Sequence, residues 1–67
     1  MLVELRAIPG LVERRPGVFS RKSRAFLHFH EDPTGCYADV RFADDFERHR
    51  VETDDERAGL LAAIRAI

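Results

Sequence analysis

The sequence predicts an α+β domain in the order α-β-β-β-β-α: an antiparallel sheet of three to four strands, with the N- and C-terminal helices packed on one face. Three observations carry this reading. Leu2, Leu5 and Ile8 recur at helical spacing and stop at Pro9-Gly10. Ala25–Glu31 and Cys36–Phe42 both alternate apolar and polar residues, on either side of Asp32-Pro33-Thr34-Gly35. Thr53-Asp54-Asp55-Glu56 then opens a second helical pattern, with Leu60, Leu61, Ile64 and Ile67 on one face.

Taken in order, the opening helix has about two turns and is too short to hold without packing. Residues 10–16, with Gly10 and Pro16 among charges, read mostly as a connection. Gly17-Val18-Phe19-Ser20 is a short strand, and Arg21-Lys22-Ser23 is the turn that follows it. Asp32-Pro33-Thr34-Gly35 suits a type I turn: proline presets φ, the Asp side chain can bond back to the backbone, and Gly tolerates positive φ. Asp44-Asp45 marks a further turn and Phe46–Val51 a further strand. Thr53 and Glu56 have the spacing of a capping box, with Asp54 and Asp55 favouring the positive end of the helix dipole. Gly59 weakens the second helix by up to about 1 kcal/mol relative to alanine, which points to close packing there.

The faces of the hairpin follow from its register. Matching apolar sides puts Glu31 opposite Cys36, His30 beside Tyr37, His28 beside Asp39 and Phe26 beside Arg41. A three-residue loop would pair Asp32 with Cys36 and turn both histidines toward Ala38 and Val40. That slip would bury two imidazoles in a small core, and each would need a partner. The first register is therefore favoured, with His28, His30, Tyr37, Asp39 and Arg41 forming a polar sheet face.

Sixty-seven residues make one domain, residues 1–67. A chain of this size buries only about 60% of the surface its unfolded form exposes. Cys36 is the only cysteine, so no disulfide supports it, and self-association as a homodimer is the expected aid. Hydrophobic residues at 45% and charged residues at 34% describe a globular chain rather than a disordered one. No apolar run approaches a membrane span, and MLVELRAIPG lacks the basic start and long apolar core of a signal peptide. No membrane partner and a reducing, cytoplasmic location are expected. No cofactor motif is present.

Charge is unevenly spread. Arg14, Arg15, Arg21, Lys22 and Arg24 run without an acid among them, while residues 31–56 hold ten acids against Arg41, Arg48 and Arg50. Such asymmetry either marks an anionic partner or is neutralised internally, and in so small a domain internal neutralisation is the plainer expectation. The nucleic-acid reading uses this run as the phosphate-binding segment, with Phe19 and Phe26 as stacking rings. The protein-partner reading uses Tyr37, Arg41 and the two histidines.

His28 and His30, two residues apart on a strand, point the same way and could be paired metal ligands. Asp39 is the best third ligand and His49 a poorer one. A solvated or hydrogen-bonded sheet face explains the same letters and is favoured. Cys36 near His30 invites a nucleophile–base pair, but the register puts them on opposite faces and predicts a small buried cysteine. No catalytic residue is named, and the expected function is a non-catalytic binding or interaction module.

The opening helix, Ile8-Pro9-Gly10-Leu11-Val12-Glu13, the basic turn Arg21-Lys22-Ser23-Arg24 and the Phe-rich strand after it resemble the MmcQ/YjbR family of small bacterial proteins. This chain is shorter than that family, lacks tryptophan and has FLHFHED where an apolar strand is usual. The resemblance implies an α+β fold and DNA binding, and it carries over no catalytic residue.

Overall fold

The computed structural model describes residues 1–67. Helix α1 (Leu2–Arg6) leads into strands β1 (Leu11–Arg15), β2 (Val18–Arg21), β3 (Arg24–Asp32), β4 (Gly35–Val40) and β5 (Glu47–Arg50), and helix α2 (Asp54–Arg65) follows. Each strand pairs antiparallel with the next, giving one open sheet in the order β1-β2-β3-β4-β5. The class, the antiparallel sheet and the two flanking helices are those the sequence predicts. Phe19, Leu27 and Val40 lie opposite one another across β2, β3 and β4 and so share a face. Leu5 of α1 and Leu60, Leu61 and Ile64 of α2 join them in a single buried cluster. Both helices therefore serve the same side of the sheet.

One strand more is present than the sequence reading allows. Residues 10–16 are mostly not a connection, because Leu11–Arg15 forms the edge strand β1. The cause is Pro16-Gly17, which closes a two-residue turn with Arg15 opposite Val18. Proline presets its own φ, and Gly17 takes φ 76°, the positive value that the position after it requires in a type II turn. Arg6 then clamps the new strand to α1. Its Nε donates to Glu13 Oε1 at 2.7 Å, while Glu13 Oε2 accepts from the Gly17 N–H at 3.1 Å.

The hairpin of β3 and β4 has the favoured register: His28 faces Asp39, His30 faces Tyr37 and Glu31 faces Cys36. Asp32 also pairs with Gly35, so the loop is only Pro33-Thr34. Asp32 Oδ1 accepts from both the Thr34 N–H (2.9 Å) and its hydroxyl (2.8 Å). Asp32 thereby builds the turn and is held below the usual carboxylate range, chiefly by that N–H.

Phe26 departs from the expected alternation. Ser20 pairs with Ala25 but Phe19 pairs with Leu27, so Phe26 is the extra residue of a bulge. The bulge lets Phe26 and Leu27 both turn to the core, at 4% and 1% exposure, and leaves Ala25 outside. Phe42 lies beyond the end of β4 and packs its ring edge-on against Phe26 at 6.1 Å.

Helix α2 begins as its sequence predicts. Thr53 Oγ1 accepts from the Glu56 N–H and Glu56 Oε1 accepts from the Thr53 N–H, a complete capping box. Two expectations for this helix fail. A side chain at Gly59 would meet nothing within 4 Å, so no close packing explains the glycine. Ile67 lies past the helix end and is 51% exposed, because the apolar face is complete at Ile64.

Candidate functional site

The sheet face away from the helices is the candidate site. Directly opposite residues in an antiparallel sheet share a face, so the pairings define rows across it. Arg15, Val18, His28, Asp39 and Arg48 form one row running through all five strands. His30, Tyr37 and Arg50 form the next. The β-strand period of two places these side chains on one side while Leu27, Phe29 and Ala38 build the other.

Asp39 is the centre of the row. Its side chain is only 12% exposed, although the face carries no helix. Arg48 covers it through two bonds, Nε to Oδ1 at 2.8 Å and Nη2 to Oδ2 at 3.0 Å. His28 Nε2 closes the other side, 3.0 Å from Oδ2. The Arg48 hydrogen bond, more than anything else, holds the Asp39 carboxyl below its ordinary range; burial opposes this and the imidazoles of His28 and His30 assist. Asp39 is thus not a solvated surface acid, as the alternation alone suggests, but an enclosed anion with its acceptor sites in use.

Aromatic groups flank this row. The Arg48 guanidinium lies 5.9 Å from the Tyr37 ring centroid, and Arg41 lies 4.6 Å above the Phe46 ring. His28 meets Phe46 edge-on at 5.4 Å. Phe46 is 41% exposed, the one large apolar side chain so exposed around these polar neighbours. Arg48 and Phe46 were absent from the residues singled out in the sequence. Their signal is the spacing of two from Phe46, just ahead of β5, to Arg48 and Arg50 within it, and only the β4–β5 register places Arg48 against Asp39.

The histidine pair does not assemble a metal site. His28 turns to Asp39, while His30 Nε2 lies 3.9 Å from Asp32, a different carboxylate. No three His, Cys, Asp or Glu residues come together in a way that could hold an ion, the set His28, His30 and Asp39 included. His49 lies opposite Ala38, on the helix-bearing side, with its ring edge-on to Phe42 at 5.9 Å. His30, Tyr37 and Cys36 border one cavity of about 390 Å³. Neither His28 nor Asp39 borders any cavity. Cys36 is half-buried rather than buried, and its backbone N–H donates to Glu52 Oε2 at 2.7 Å. The same carboxylate pushes the thiol above its ordinary value, the reverse of nucleophile activation.

The basic run behaves differently from the expected internal neutralisation. The arginine–carboxylate pairs are Arg6–Glu13, Arg48–Asp39, Arg50–Glu56 and Arg57–Asp54. Arg14, Arg15, Arg21, Lys22 and Arg24 take part in no ion pair at all. Arg14 instead donates to the Ser20 hydroxyl at 2.9 Å. Phe19 and Phe26, the expected stacking rings of this run, are core residues, and of the two only Phe26 reaches a cleft wall.

The run divides between two locations. Arg15 stands at the end of the Asp39 row, whereas Arg21 and Arg24 face each other across the β2–β3 turn. Beside that turn is a cleft of about 180 Å³ lined by Arg21, Lys22, Arg24 and Arg41, with Phe26 and Phe42 in its wall and no acidic residue. Arg41 joins the cleft to the sheet face. Its guanidinium is pinned to the Ala25 carbonyl by two hydrogen bonds (3.0 and 2.6 Å) and lies on Phe46. No known family model, curated protein or solved structure matches this chain.

Proposed function

We propose that this chain is a non-catalytic binding module that presents the uncovered sheet face, together with the basic β2–β3 turn at the sheet's end, to an anionic partner. The carrying observation is the state of the charges. Five cations of residues 14–24 lack any carboxylate partner, and three of them surround the acid-free cleft with Arg41. Clustered like charges cost stability unless something compensates them, and an anion in the cleft would do so. Asp39 supports the same reading from another side. Saturated by Arg48 and His28, it fixes two side chains in place rather than offering a base or ligand.

The reading is tested by amide chemical shifts of the isotope-labelled chain titrated with poly-L-glutamate, heparin and oligothymidylate. At least one polyanion should move the resonances of Lys22, Arg24, Arg41, His28 and Arg48 while leaving α2 still. Shifts confined to α2, or no shift with any polyanion at low ionic strength, would remove the proposal.

A further inference from the structure

We infer that the anionic partner is a single-stranded nucleic acid, whose phosphates enter the four-cation cleft and whose bases lie on the ring surface formed by Phe46, His28 and Tyr37. This rests on the binding reading above and names its ligand.

Charge complementarity selects the class of partner. Arg21, Lys22, Arg24 and Arg41 line one cleft without a carboxylate; Asp44 and Asp45, nearby in the chain, do not border it. The turn that carries them is costly in its own right. Lys22 and Ser23 hold φ of 52° and 64°, the left-handed region, where glycine or asparagine is the usual occupant. Arg21 and Arg24 stand directly opposite each other, a like-charge pair that weakens a hairpin. Backbone strain and charge repulsion coinciding at one exposed tip, with no gain in core packing, is the pattern of a segment kept for binding.

Rings select the single strand. Phe46 is 41% exposed and lies between Arg41 and His28 rather than against the core. Tyr37 is half-buried beside Arg48. An exposed base stacks on such a ring whatever its identity, and the adjoining arginines add cation–π attraction. In a duplex the base faces are already stacked, so these rings would have nothing to receive. Arg41 touches both parts, which makes cleft and ring surface one continuous path. Arg15, unpaired at the far end of the cross-strand row, extends positive charge beyond it.

The test is fluorescence anisotropy with labelled oligothymidylate, the same-length duplex, and heparin as a non-nucleic polyanion. Expected is binding of the single strand at low salt, preferred over the duplex. Four phosphate contacts should give a slope of log affinity against log salt of roughly −3, from about −0.7 per contact. Lys22→Glu with Arg24→Glu should weaken binding at least about tenfold and flatten the slope. Phe46→Ala should weaken it about tenfold while leaving the slope unchanged, since a ring contributes stacking and no counterion release. All of these side chains are exposed, and circular dichroism melts matching the parent chain verify the fold of each variant. Heparin binding without oligonucleotide binding overturns this inference and leaves the anionic-partner reading standing. Equal affinity for duplex and single strand, with Phe46→Ala unchanged, overturns the stacking surface and with it the inference. Absence of binding to every polyanion overturns both.

Discussion

Asp39 combines near-complete enclosure with a place on the face that no helix covers, and its two partners resolve the conflict. A carboxylate removed from water needs its acceptor sites filled; Arg48 donates to both oxygens, and His28 Nε2 stands 3.0 Å from Oδ2 on the other side. A lowered carboxyl stabilises the fold at pH values above its ordinary range and loses that contribution as pH falls through its folded value. Asp39→Asn should therefore cost about 1 kcal/mol near neutrality, the low end for a charge-assisted pair because Arg48 is half exposed. In urea melts the gap between parent and variant should shrink as pH falls below about 4. A gap independent of pH would mean that the Arg48 pair is not its source. Phe26 teaches the complementary lesson. Alternation places it beside His28 on the polar face, and one bulge takes it to 4% exposure in the core. Phe26→Ala should cost about 3 kcal/mol or more in chemical denaturation, as deletion of a core aromatic does, rather than the near-zero cost of a surface ring.

At the level of elements, the turns divide by chemistry. Pro16-Gly17 and Asp32-Pro33-Thr34-Gly35 have residues suited to their dihedrals, and both hairpins close with two-residue loops. Lys22-Ser23 closes the third with unsuited residues. Ser23→Gly should raise stability by about 1 kcal/mol, since a left-handed non-glycine residue costs about that much. The melting temperature should rise by roughly 4–8 °C for a domain of this size. No gain would show that the tip carries no strain. Gly59→Ala makes a parallel case in α2. A methyl group there meets nothing, so only the helix-propensity gain of up to about 1 kcal/mol remains. A lower melting temperature for that variant would contradict the open space seen around Gly59.

Across the molecule, charge is segregated rather than balanced. Carboxylates pair with Arg6, Arg48, Arg50 and Arg57, while the 14–24 cations stay unpaired. Glu13, Asp32, Asp39 and Glu56 are all held below the usual carboxylate range, first by Arg6, the Thr34 N–H, Arg48 and the Thr53 N–H respectively. Each contributes stability that is complete above the ordinary carboxylate pKa and lost only on protonation of the folded form. Stability should accordingly be level from neutrality down to about pH 5 and fall steeply below about pH 4. Thermal melts across that interval check the shape, and a decline beginning above pH 5 would mean that other groups govern it. No helix is long and apolar enough to cross a membrane.

The sequence by itself determined what depends on near neighbours in the chain. The capping box at Thr53 needs two residues three apart, the hairpin register follows from two alternating strands and a short turn, and a helix precedes Pro9-Gly10, although α1 stops at Arg6, short of the expected Ile8. His28 beside Asp39 was legible for that reason. Tertiary structure alone decided what depends on counting across strands. A bulge at Phe26, an extra strand ahead of Pro16-Gly17 and the β4–β5 register each shift which side chains meet, and no local pattern records the sum. That is why Arg48 on Asp39, Arg41 on Phe46 and the acid-free cleft emerge only in the folded chain. Burial and charge pairing are properties of surfaces brought together, and the same letters in a shifted register would have produced different ones.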